Sequence, residues 1–323
     1  MIGPVCYTCR IDSRVPPPYT ASMKRFQRFS ANHLTYKPLF LSALLPILSL
    51  LLPWTLCSAD TGSTSTTPPQ RIVSINLCTD QLLLELADPA QIAALTRLSQ
   101  DAPASYHRQQ ALNFPTTTGL AEEILPLQPD LVISGEYGLA ATQALLRKLH
   151  IRIETLPIAD DLETVYANIT RIAALTGHPK RGAALVARMQ QRLQQLPPPP
   201  AQRPLAAVYD PNGYTVGPRT LRGQAMALAG WQNAAALLGI NDYGVLPLED
   251  MVRLNPVALI ASPYSAHTWS RAEAITRHPA LRRSRYQRQV ITLPSSMTIC
   301  GGPWSIDVIE KLVRARQSRH SPS

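Results

Sequence analysis

The sequence predicts an α/β fold of two Rossmann-like lobes with parallel sheets, joined by a single long α-helix. Three observations predict it. Short apolar strands alternate with helical periodicity over residues 71–158, and the same alternation restarts over 198–317. Such alternation calls for parallel sheets covered on both faces. Between the two halves, residues 159–197 lack a strand signal, and their apolar residues recur at helical spacing. Finally, one short motif occurs once in each half.

Residues 1–59 read as a leader. They hold six of the chain's 31 Lys and Arg residues (Arg10, Arg14, Lys24, Arg25, Arg28, Lys37) against one acid, Asp12. An apolar run over 39–56 follows, broken by Pro46 and Pro53, and Cys57-Ser58-Ala59 offers small residues to a signal peptidase. The prolines and the small-residue exit favour cleavage after Ala59 and export to the periplasm. An uncleaved anchor is the alternative, because the run is near the length that spans a bilayer. Leu56 is a poor match for the small residue expected before a lipoprotein cysteine. Met1 and Met23 both stand as starts, since Lys24 and Arg25 would make a basic region right after Met23. Residues 60–70, rich in Ser, Thr and Pro, form a flexible linker.

The net charge of +10 is unevenly spread: residues 60–323 hold 25 basic and 20 acidic side chains. Their densest basic cluster, Arg282, Arg283, Arg285 and Arg288, reads as a solvated face. Binding nucleic acid would need a wider patch or a recognisable module. Of five cysteines, Cys6 and Cys9 fall in the leader without a partner pair, and Cys57 leaves with it, so Cys78 and Cys300 remain.

In the first lobe, strands are expected over 71–75, 92–95, 131–133 and 151–156. Helices are expected over 79–86, 121–127 and 139–149, the first capped by Thr79 or Asp80. In the connector, Val165, Ile169, Ile172 and Leu175 lie on one helical face, followed by Leu185, Met189 and Leu193. Gly177-His178-Pro179 marks a kink or short break. A continuous helix over 162–196 would run about 50 Å at roughly 1.5 Å per residue. A helix of that length resists hinging, so lobe motions of a few degrees are expected. The second lobe should carry strands over 205–209, 258–261 and 290–293, helices over 220–228 and 305–316, and a tail at 318–323.

The paired motif places acids, Glu122-Glu123 and Glu249-Asp250, ahead of an apolar turn, with Pro129 or Pro256 seven residues after the first acid. Carboxylates are favoured at helix starts by the dipole, and proline sets the chain extended before a strand. Together with Arg71-Ile72-Val73-Ser74, Tyr214-Thr215-Val216-Gly217 and Ala229-Gly230-Trp231-Gln232-Asn233, this double motif resembles the cobalamin and iron–siderophore class of periplasmic solute-binding proteins of ABC importers. The resemblance spans about 71–312. Val257, where that family usually has Asp, and Trp231, in place of its second glycine, depart from the pattern. The resemblance implies a substrate-binding subunit, not an enzyme, that works as a monomer without a resident cofactor. It would carry a metal chelate or corrinoid, of ferric siderophore, cobalamin or haem type. It also implies that Glu122 and Glu249 dock onto arginines of the permease dimer; the plainer reading is that each supports its own helix start. A ligand-binding sensor subunit and a periplasmic enzyme on the same frame are the alternatives.

Open α/β sheets bind ligands beyond their strand ends. That selects Cys78, Thr79 and Asp80 after the opening strand, Tyr137, and Tyr214. It also selects Tyr264, His267 and Trp269, and then Met297, Cys300 and Trp304. For each aromatic, ordinary packing competes with ligand contact. Cys78 and Cys300 stand open between a disulfide tying the lobes, two thiols on a soft metal, and two unlinked packed side chains. Gly301-Gly302 would let backbone approach a ligand closely. The histidines show no metal-ligand spacing, so no metal site is expected. Neither G-x-S-x-G, H-E-x-x-H, a P-loop nor a dinucleotide glycine fingerprint occurs.

Overall fold

The structure, a computed structural model, describes residues 67–263, 271–274, 276, 278–282 and 289–319. The leader, most of the linker, Tyr264, His267 and Trp269 lie outside the described residues. So do the tail from 320 on and the side chains of Arg282, Arg283, Arg285 and Arg288.

The first lobe alternates β1 (Ile72–Ser74), α1 (Leu77–Leu86), β2 (Ile92–Thr96), α2 (Arg108–Ala111), β3 (Thr116–Thr117), α3 (Ala121–Ile124), β4 (Leu131–Gly135), α4 (Ala140–Lys148) and β5 (Ile153–Leu156). Its parallel sheet has the order β3-β2-β1-β4-β5. The central strands are apolar on both faces because helices cover both: Ile72, Val73, Leu131, Val132 and Ile133 are fully buried. Strand β3 is only two residues long, too short to show a period, and sequence patterning misses it.

The connector differs from the expected single helix over 159–197. It is two helices, α5 (Leu162–Leu175) and α6 (Pro179–Gln194). Gly177 takes φ +82°, which a side chain would strain. His178 N–H then donates to Ala173 C=O and Gly177 N–H to Ala174 C=O, the Schellman arrangement that ends a helix. The chain doubles back there. A Cβ on Gly182 of α6 would lie 2.4 Å from the Ala173 Cβ of α5, so glycine permits the close crossing. Helix α6 makes the crossing between lobes. Near its start Arg181 holds Leu86 C=O and Asp88; near its end Arg192 holds Asp307 and Glu310 of the second lobe. Sixteen residues span roughly 24 Å, about half the length of the continuous helix.

The second lobe comprises β6 (Leu205–Val208), β7 (Tyr214–Val216), α7 (Leu221–Leu228), β8 (Gln232–Asn233), β9 (Tyr243–Val245), α8 (Leu248–Leu254), β10 (Ala258–Ala261), α9 (Pro279–Arg282), β11 (Val290–Thr292) and α10 (Trp304–Gln317). Its parallel sheet has the order β11-β10-β6-β8. Strands β7 and β9 make a separate antiparallel ribbon, which the sequence reading lacks. Trp231, the departure from the glycine turn, is buried and donates its indole N–H to Leu312 C=O of α10 at 3.0 Å. It fills space that glycine would leave open.

A small apolar seam joins the lobes on one side. Leu77 and Ala104 of the first meet Cys300 and Trp304 of the second. Tyr106 stacks on Trp304 with ring centroids 5.0 Å apart and donates to Asp307 at 3.1 Å. Ser295 Oγ donates to Pro103 C=O.

Candidate ligand cleft

The C-terminal ends of β1, β4 and β5 face the start of α7, the β7–β9 ribbon and the loop after β11 across a cleft of about 370 Å³. Its first-lobe wall includes Asn76, Cys78, Thr79, Glu136 and Tyr137. Its second-lobe wall includes Tyr214, Arg222, Tyr243, Ile299, Cys300 and Gly301. Tyr137 is 71% exposed, leaving a large aromatic face at the opening.

Helix α1 sets the floor. Asn76 caps it, accepting from Cys78 N–H at 2.9 Å and Thr79 N–H at 3.3 Å. The expected cap at Thr79 or Asp80 is therefore displaced, because the helix begins at Leu77. That shift places Asp80 on the inward face. It is fully buried, takes hydrogen bonds from Thr96 Oγ1 and N–H, and does not line the cleft. Burial pushes its carboxyl pKa up to about 7, against the lowering effect of those hydrogen bonds. Thr79 lines the cleft, but its hydroxyl is held by Ser74 and by Asn76 C=O.

Cys78 and Cys300 are joined in a disulfide with Cα atoms 5.2 Å apart, across 222 residues of sequence. Trp304 is not in the cleft. Its indole is 1% exposed, donates to Cys300 C=O at 2.8 Å, and packs over Gly302, where a Cβ would strike the ring. Gly302 thus serves a tryptophan, while Gly301 faces the cleft. Met297 also lies off this cleft, packed against the core.

Tyr243 and Asn168 are among the cleft residues that escaped the sequence reading. Tyr243 stacks on Tyr214 with centroids 6.2 Å apart and planes 16° apart. Antiparallel pairing of β7 with β9 brings them together, and neither residue alone signals it. Tyr243 donates to Asp160 at 2.8 Å; partial burial first, then that carboxylate, raise its pKa. Asn168, on α5, also lines the cleft and donates to Pro157 C=O. Arg222 is ion-paired with buried Asp210 at 2.8 Å, whereas Arg219 pairs with Asp242 off the cleft. Among the described residues, no group of three or more His, Cys, Asp or Glu side chains is arranged to hold a metal ion.

The paired motifs sit on short helices, each closed by a left-handed residue before its proline: Gln128 (φ 48°) and Asn255 (φ 45°). The proline rule alone calls for an extended residue there; the helix end overrides it. Glu122 and Glu249 are exposed in the first turns of α3 and α8, with no hydrogen-bond or ion-pair partner among the described residues. The acid after each is engaged. Glu123 accepts from Thr118 N–H and Thr117, which holds its carboxyl below the usual range, and Asp250 pairs with Arg253.

The family described as periplasmic binding protein matches residues 72–297. A cobalamin-binding protein of Halobacterium salinarum (strain ATCC 29341 / DSM 671 / R1) is 26% identical over 208 residues, covering 63% of this chain and 56% of the relative. The chain thus spans little more than half the length of that relative. The periplasmic haem-binding protein HutB of Vibrio cholerae superposes with a TM-score of 0.65 at 21% identity, over 78% of this chain and 99% of that one. A periplasmic haem-binding protein from Pseudomonas aeruginosa gives 0.63 at 23% identity, over 79% and 95%. These likenesses establish the fold: two parallel-sheet lobes.

Proposed function

The chain belongs to the periplasmic binding protein family, and on that premise we propose that it captures a metal chelate or corrinoid between its lobes and hands it to an ABC permease dimer. The cargo is of ferric siderophore, cobalamin or haem type. One observation carries the reading: the cleft draws tyrosines from both lobes, Tyr137 from one and Tyr214 with Tyr243 from the other. Flat apolar faces with polar edges suit a macrocycle or an aromatic chelator. The cobalamin- and haem-binding relatives point the same way. The relatives are binding proteins, and the same role without catalysis is proposed here.

Glu122 and Glu249 supply the docking points. One exposed carboxylate per lobe, each at a helix start, gives a two-point electrostatic register on a basic membrane partner. The leader directs the chain to the periplasm and is cut after Ala59; the mature protein acts as a monomer.

A thermal-shift panel on the chain from Asp60 onward tests the cargo, with cyanocobalamin, cobinamide, haemin and several ferric siderophores. Saturation at about 100 times the dissociation constant adds roughly 2.7 kcal/mol. Silence across the whole panel would overturn the cargo class. Glu122→Ala with Glu249→Ala should cut cellular uptake roughly tenfold or more while affinity in the purified protein holds. Lost affinity would remove these residues from the docking role.

A further inference from the structure

We propose that the Cys78–Cys300 disulfide is a reversible clasp between the lobes, opened by a small dithiol that enters through the cleft. The coupling to cargo described below rests on the function proposed above; the clasp itself does not.

The bond crosses the seam between the lobes. Cys78 lies in the first turn of α1 and Cys300 in the loop ahead of α10, so the bond ties the start of α1 to that loop, and both sulfur-bearing residues line the cleft. The neighbouring ties described here are non-covalent: the Tyr106–Trp304 stack, the Tyr106–Asp307 hydrogen bond and the Ser295–Pro103 hydrogen bond. Each lobe keeps its own sheet. Breaking the clasp therefore loosens the seam without dismantling either sheet.

Access is one-sided. Cys300 is 2% exposed, backed by Trp304, Leu77 and Ala104, whereas Cys78 is half-buried and both line the cleft. A thiolate entering the cleft meets the Cys78 sulfur first. It attacks there, the S–S bond breaks, and Cys300 leaves as a thiolate that takes up a proton. The second thiol of the reagent, as thiolate, attacks the reagent's own sulfur in the mixed disulfide and releases Cys78, which is protonated. The dithiol ends as its disulfide, and the protein pair has gained two electrons and two protons. Residues 60–323 contain no other cysteine to divert the exchange. Cargo in the cleft covers the same sulfur, so an occupied protein keeps its clasp and an empty one can lose it.

The test treats the mature chain, from Asp60 onward, with dithiothreitol under native conditions, then alkylates and follows the Cys78 and Cys300 peptides by mass. Amide hydrogen exchange is read in parallel. We expect both sulfurs to become alkylatable together. Exchange should rise over 101–107 and 295–304 while β1 and β10 stay protected. Unchanged exchange across the seam after full reduction, or reduction only with loss of protection in both sheets, overturns the clasp. Ile299→Trp narrows the cleft without needing any cargo and should slow reduction about tenfold; an unchanged rate overturns the cleft as the route. Saturating haemin or cyanocobalamin should slow it similarly. Failure of both to bind would count against the cargo class alone, since the seam and Ile299→Trp results stand without them. Binding without protection would overturn the coupling.

Discussion

Each lobe buries an aspartate behind its first strand, and the two handle the charge differently. Asp80 follows β1 and has no cationic partner among its hydrogen bonds; Thr96 donates twice, and burial lifts its pKa to about 7. Asp210 follows β6 and faces Arg222 at 2.8 Å, while accepting from Ser262 N–H. Hydroxyl and amide donors answer the first carboxyl, whose pKa is raised, and a guanidinium answers the second. The difference tracks the cleft: Arg222 lines it and Asp80 does not. One lobe thus places its charged pair at the cleft wall, and the other holds its acid as framework.

The comparison can be broken in order of expected effect. Arg222→Met strands a buried carboxylate and should cost about 3–5 kcal/mol in denaturant unfolding; a neutral outcome would mean that Asp210 is solvated in solution. Asp80→Asn tests the other lobe through pH. A carboxyl whose folded pKa is raised keeps its proton when folded and loses it when unfolded. The contribution of Asp80 to stability should therefore be complete below about pH 4 and fall as pH rises to about 7, by on the order of 4 kcal/mol. In the Asn variant that slope should disappear from the melting curves; an unchanged slope would clear Asp80.

A smaller effect separates the motif copies. Asp130 accepts from Gln70 and Arg71 N–H, while its counterpart Val257 packs against the core. Asp130→Ala should cost about 1–2 kcal/mol and fray β1 in hydrogen exchange, a role Val257 cannot share. Smallest of all, Glu122→Ala and Glu249→Ala should leave stability within about 0.5 kcal/mol, because neither carboxylate has an intramolecular partner among the described residues. A larger loss would turn them into helix supports.

Much of the fold was legible because parallel strands buried on both faces are short unbroken apolar runs. Ile72-Val73, Leu131-Val132-Ile133 and Ala258–Ala261 supply such runs within their strands. Two-residue β3 and β8 carry no period, and the β7–β9 ribbon depends on residues far apart in sequence. The cleft was legible as a set of loops, which placed Cys78, Thr79, Tyr137, Tyr214 and Cys300 on its walls. Loop position does not say which way a side chain turns. Trp304 turned into the seam and Asp80 under the sheet; Tyr243 reached the cleft from a stretch with no motif.

By itself the sequence determined the two-lobe α/β class, the paired acidic motif and the break at Gly177-His178-Pro179, all set by local periodicity and turn chemistry. Tertiary structure decided the rest. It reversed the connector at that break, joined Cys78 to Cys300, and divided the loop residues between seam and cleft. Those outcomes depend on contacts between segments up to 222 residues apart, where burial and pairing compete among many partners and local pattern carries no information about which one wins.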